Sequence, residues 1–123
     1  MAELTSDAYQ SIREFVNSST GVPNDWDYIE LYDDANNAVT RVSINGDGRC
    51  QWLDEDGDKT LQIEFDATGS DSDIPIPTKL KYSALWDSES GGRQLTVKEQ
   101  FAEAVINQSG DNVVITHSID IPQ

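Results

Sequence analysis

The stretch from Lys79 to Val97, KLKYSALWDSESGGRQLTV, constrains the chain more than any other. Leu80, Tyr82, Ala84 and Trp86 alternate with Lys79, Lys81, Ser83 and Leu85, the period of a strand with one buried face. Asp87, Ser88, Glu89 and Ser90 can hydrogen-bond their own backbone, and Gly91-Gly92 supplies positions where a positive φ costs least. The strand is therefore predicted to reverse and run back along Gln94 to Val97 as a hairpin with a longer loop. Trp86, Asp87, Gly91 and Gly92 are the residues expected to define this turn.

Ahead of it, Leu4, Ala8, Ile12 and Val16 recur at helical spacing with Phe15 beside them, which predicts an amphipathic helix over residues 4–18. Thr5 or Ser6 can cap it, Asp7 sits in its first turn, and Asn17 to Gly21 with Pro23 ends it. So short a helix needs its apolar stripe packed on a sheet or on a neighbouring copy. From Trp26 the period falls to two. Tyr28 to Tyr32 and Val39 to Ile44 read as strands joined by Asp33-Asp34-Ala35-Asn36-Asn37, where Asp and Asn tolerate left-handed backbone. Asn45-Gly46-Asp47-Gly48 turns the chain into Cys50 to Leu53, and Asp54 to Asp58 turns it again. Leu61, Ile63 and Phe65 alternate with polar residues as a half-buried strand.

Ile74-Pro75-Ile76-Pro77 is predicted to be an extended edge, because neither proline can donate to a ladder. Phe101 to Ile106 reads as a strand, although Ala102, Glu103 and Ala104 also suit a helical turn. Val113, Ile115, Ile119 and Ile121 share a face with His117 in a last strand that Pro122 stops. The sum is a mainly β chain: a β-sandwich of about eight short antiparallel strands over 26–121, with one N-terminal α-helix, in a single domain over 1–123.

Charge excludes several partners. With 23 acidic and 8 basic residues the net charge is −15, and the basic residues are spread singly. Phosphate binding needs a lysine or arginine stripe, so neither nucleic acid nor an anionic membrane is expected as a partner. Cys50 is the only cysteine, which leaves no intramolecular disulfide and no ordinary thiolate zinc site. Met1-Ala2-Glu3-Leu4 lacks the basic and apolar regions of a signal peptide, and synthesis in a cytoplasm is the expectation.

The candidate chemistry is sparse. Aligning an EF-hand loop on Gly48 or on Gly57 puts wrong residues at ligand positions, although Asp54, Asp56 and Asp58, or Asp71 and Asp73, could hold calcium in another geometry. A solvated turn is the plainer reading of these acids, and no metal site is assigned. His117 is the only imidazole, and Ser118 beside it points to the opposite face of the strand, so these two cannot form a nucleophile pair. Cys50 could meet His117 in space, but single residues of these types in a β core are usually structural. No glycine-rich phosphate loop links a strand to a helix. Hence no catalytic residue and no cofactor is expected. Trp26, Tyr28, Tyr32, Trp52, Tyr82 and Trp86 could form a sugar-binding platform or, more simply, fill a core or an interface.

Residues 74 to 121 resemble the C-terminal half of small virion proteins of tailed phages, described as tail fibre-like or minor structural proteins. The resemblance is carried by Ile74-Pro75-Ile76-Pro77, by Ala84-Leu85-Trp86-Asp87 followed by Gly91-Gly92 and Leu95, and by Gly110-Asp111 before an alternating last strand. Leu4-Thr5 ahead of a short helix with Ile12-Arg13 is also similar to the start of such proteins. Where those proteins carry a Gly-Tyr-Ala-Arg stretch in mid-chain, this one reads Gly46-Asp47-Gly48-Arg49-Cys50-Gln51-Trp52. The resemblance implies a non-enzymatic virion protein that decorates or cements a capsid exterior as a small homo-oligomer, with a major capsid or tail protein as its partner. The alternative it implies is a tail-fibre or tail-tip module that grips host glycan through the aromatics. Leu4, Ile12 and Val16 on the helix, and Ile74 and Ile76 on the proline-bearing edge, are the expected contact residues.

Overall fold

The computed structural model describes residues 2–18, 26–54 and 60–120. An N-terminal helix, α1 (Ser6–Ser18), precedes seven described strands: β1 (Tyr28–Asp33), β2 (Ala38–Ser43), β3 (Cys50–Asp54), β4 (Thr60–Thr68), β5 (Thr78–Trp86), β6 (Glu99–Ile106) and β7 (Asn112–Asp120). They form two antiparallel sheets, one ordered β2-β1-β5-β6 and the other β3-β4-β7. This is the predicted mainly β, sandwich-like fold with its helix.

Alternation places the core. Ile29 and Leu31 of β1 and Leu80 and Leu85 of β5 turn inward from the first sheet, against Ile63 and Phe65 of β4 and Ile115 and Ile119 of β7. The β1–β2 turn closes as its chemistry requires: Asn36 has φ 68°, and Asp33 Oδ1 accepts from the amides of Ala35 and Asn37 at 3.0 and 2.8 Å. Thr5 caps α1, its Oγ1 accepting from the amide of Ala8 at 3.3 Å. Among the described side chains of that helix Ala8 and Ser11 are buried and Ile12 is half-buried, with Leu4 packed at the core margin. The side chain of Val16 lies outside the described residues, as do residues 55–59.

Two expectations are corrected. Ile74 to Pro77 pairs with no strand among the described residues; it bends, with a cis peptide between Ile76 and Pro77. Its two prolines cannot donate, and the segment is held by the side chain of Ile74, which is only 2% exposed in the core, while Ile76 is 44% exposed. Ile74 thus keeps little surface to offer as a contact residue. The return of the hairpin also differs. After the bridge Trp86↔Gln94 and the bond from Leu95 N to Leu85 O at 2.7 Å, the chain leaves β5 and crosses to the N-terminal segment. There Thr96 bridges Leu4, the amide of Thr5 donates to Leu95 O at 2.9 Å, and the amide of Val97 donates to Glu3 O at 3.0 Å. The ladder on β5 resumes only with β6, whose register shifts around Ala102 and Glu103 where a helical turn had been the alternative.

The seam between the sheets is polar at one point. His117 of β7 is fully buried, with Nδ1 2.7 Å from Ser83 Oγ of β5 and Nε2 3.1 Å from Thr96 Oγ1, which also accepts from the amide of Leu85 at 3.1 Å. Burial favours the neutral ring and lowers its pKa from 6.5 to about 4. As pH falls, the unfolded chain therefore takes the proton first, so the stability that neutral His117 contributes is complete above pH 6.5 and is lost on the way down to about pH 4. Half-buried Glu99, raised above the usual carboxylate range chiefly by burial, pulls the other way at the acid end of this window. Urea unfolding should show a midpoint that drops across the window in the parent and much less in His117→Gln; equal slopes in the two proteins would contradict this account.

Candidate functional site

The hairpin that dominates the sequence is clamped by an arginine on the outer face of the four-stranded sheet. The β1–β2 register sets Arg41 opposite Glu30, and Arg41 Nε donates to Glu30 Oε2 at 2.6 Å. Arg41 Nη1 then donates to the carbonyls of Ser88 and Gly91, at 3.0 and 2.8 Å, and so holds the loop after β5 against the sheet. Its guanidinium lies 3.9 Å from the centroid of the Trp86 ring. Trp86 Nε1 donates to Tyr32 Oη at 2.9 Å, and Glu30 lies near the same hydroxyl. Burial, then nearby Glu30, drives the Tyr32 phenol well above its ordinary pKa. Lys98 covers the other side, with Nζ 4.0 Å from the Tyr32 ring centroid and 2.8 Å from Asn36 Oδ1. Within the loop, Asp87 accepts from the amide and Nε of Arg93, both at 2.7 Å, and Gly91 and Gly92 have φ of 64° and 76°.

A second arginine gathers the acids of the turns. Arg49 pairs with Asp47 at 2.8 Å, with Asp73 at 2.8 Å and with Asp71 at 3.1 Å, and lies 5.0 Å from the Phe65 ring centroid. Hydrogen bonds from Arg49, joined by one from Thr40 Oγ1 at 2.7 Å, hold the Asp73 carboxyl down to about 2, and Asp47 is lowered by the same guanidinium. These contacts raise the pKa of Arg49 itself. Asp71 and Asp73, considered above for calcium, are thus turned onto an internal cation. Among the described residues no group of three or more His, Cys, Asp or Glu is placed to hold a metal. Asp56 and Asp58 lie outside them, as does the side chain of Asp54.

The remaining candidates disperse. Cys50 is buried, its thiol pushed up to about 12 by burial and by Asp47, and the histidine that sequence set beside Ser118 is bonded instead to Ser83 and Thr96. Ser83 and Thr96 could not be paired with His117 from the sequence, because they come from the opposite sheet and from a crossing segment. Four of the aromatics share the outer face of the four-stranded sheet, Tyr28 pairing across the ladder with Trp86 and Tyr32 with Tyr82, but Trp86 lies under Arg41 and Tyr32 under Lys98, while Trp26 and Trp52 pack against the core. Open clefts sit beside Tyr28, Arg41, Ser43 and Glu89, and beside Asp33, Asp34, Pro77 and Lys79. Compared with protein families, curated proteins and solved structures, the chain matches none.

The clamp makes two measurable demands. Arg41→Ala leaves Glu30 buried without its cation and should cost about 3–5 kcal/mol, read as a lower denaturant midpoint, with Glu30→Gln added to Arg41→Ala restoring part of the loss. Both loop glycines pay for a positive φ when replaced, but a Cβ on Gly92 would also lie 2.6 Å from Asp87 Oδ1 and from Ser88 Cβ, whereas one on Gly91 meets nothing within 4 Å. Gly91→Ala should therefore cost about 1 kcal/mol and Gly92→Ala clearly more; thermal melts in the reverse order would refute this geometry.

Proposed function

We propose that this chain is a non-enzymatic virion structural protein of a tailed phage or similar virus, which decorates or cements the capsid exterior in many copies. The observation that carries the reading is where its reactive groups are directed. His117, Cys50, Glu30, Arg41, Arg49 and Asp73 are spent on one another or on the core, while strand faces and edges are turned to solvent. The turn that carries the resemblance, Trp86 to Gly92, is also the best-anchored loop of the outer face.

A cement acts through repetition: each copy buries a modest surface against the lattice, and the contacts sum by avidity. Ile76, half-buried Leu4 and half-buried Ile12 are the contact residues that keep surface to offer. A charge of −15 keeps the outward face soluble and suits a partner lattice with basic patches. The glycan reading draws less support, because Trp86 and Tyr32 are already covered by Arg41 and Lys98.

Purified particles of the virus that encodes the chain decide the matter. Peptide mass spectrometry and electron cryo-microscopy should find it on the shell in fixed stoichiometry with the capsid protein. Complete particles without it, with the chain left free in the lysate, would exclude the proposal.

A further inference from the structure

Charge is divided between the two sheets. Strands β3, β4 and β7 contain neither lysine nor arginine, and the outer face of their sheet carries Glu64 and Asp66. Asp66 pairs across the ladder with Val114, which is 57% exposed, and Glu64 pairs with Thr116. Among the described residues both carboxylates bond only neutral side chains, Asn112 Nδ2 at 2.5 Å and Gln51 Nε2 at 3.2 Å. The four-stranded sheet is mixed: Arg41, Lys79 and Lys81 share its strands with Glu30, Asp33, Glu99 and Glu103. Lys79 pairs across the ladder with Val105, which is 38% exposed, and Lys81 follows on the same strand. Neither lysine has a carboxylate within ion-pair distance among the described residues, although exposed Glu103 shares the face of Val105 on β6.

One outer face thus presents Val114 beside two carboxylates, and the other presents Val105 opposite Lys79, with Lys81 at the adjoining bulge and Glu103 two residues along β6. We propose that copies of this chain associate head to tail, the Glu64–Asp66–Val114 face of one seated on the Lys79–Lys81–Val105 face of the next. The contact joins unlike surfaces, so it repeats into a ring or a filament instead of closing as a two-fold dimer. The net charge of −15 opposes any approach of two copies. That repulsion is screened beyond about 8 Å at physiological salt, whereas the paired faces would meet well inside that distance. The inference goes beyond the virion reading and is tested on the purified chain alone.

Sedimentation velocity over a concentration series, in about 0.15 M salt, reads the association. The parent should form species larger than the monomer. Lys79→Glu with Lys81→Glu, and separately Glu64→Lys with Asp66→Lys, should each weaken association by about tenfold or more, with thermal melts close to the parent because these side chains lie at the surface. An equimolar mixture of the two double variants should associate again, since each then offers the other a face of opposite charge. A parent that stays monomeric, reversals that leave its association unchanged, or a mixture that stays apart would each overturn the proposal. None of these results bears on whether the chain is found on particles, so the two proposals fail separately.

Discussion

A neutral imidazole between two hydroxyls ties the two sheets to each other and to the segment that meets the start of the helix. His117 belongs to the three-stranded sheet, Ser83 to the four-stranded one, and Thr96 to the segment that leaves the hairpin. Thr96 is also bridged to Leu4, and its neighbours accept from and donate to Thr5 and Glu3, so the start of α1 depends on the same point. A buried polar cluster of this kind stabilises only while complete. Among the described residues no buried side-chain polar atom lacks a partner, and deleting one member here would leave another orphaned at about 1–3 kcal/mol.

Around that seam the chain relieves a difficult charge balance by setting Arg41, Arg49 and Arg93 against carboxylates. Arg41, Arg49 and Arg93 each meet at least one carboxylate, and each fixes a loop: the turn after β5, the turn before β3 joined to the 71–73 segment, and the Asp87 reversal. The lysines of β5 remain on the surface. Arginine suits the internal task because its fork can reach several oxygens at once, and Arg49 does so with three aspartates. Acid repulsion is thereby relieved at the turns where the acids crowd. The commitment of these polar groups to internal bonds is what supports the proposed role of a scaffold acting through its surfaces.

Local periodicity made much of this legible. The inward alternation of Ile63 and Phe65, and of Ile115, His117 and Ile119, follows directly from a strand's period of two, as the left-handed turn at Asn36 follows from its residue type. The opposite facing of Ser118 and His117 was equally plain. What stayed hidden depends on register or on distant chain. Glu30 and Arg41 meet only because β1 and β2 pair in one particular register, and Arg49 reaches Asp71 and Asp73 across a long stretch of sequence. Gln94 to Val97 read as a simple return strand because nothing local announces that Thr96 serves a histidine on the other sheet. Ile74 misled for a related reason: the prolines beside it describe what the backbone cannot do, while burial of the isoleucine decides where the segment goes.

The most direct measurement is the protonation state of His117 in the intact protein, by long-range ¹H–¹⁵N correlation of its imidazole as the pH is lowered. The account predicts one neutral tautomer, with ring nitrogens shielded from solvent exchange, persisting until the pH approaches about 4. A ring that titrates near its ordinary 6.5 while the fold stays intact would mean that the seam is open to water and that the structure is held together elsewhere.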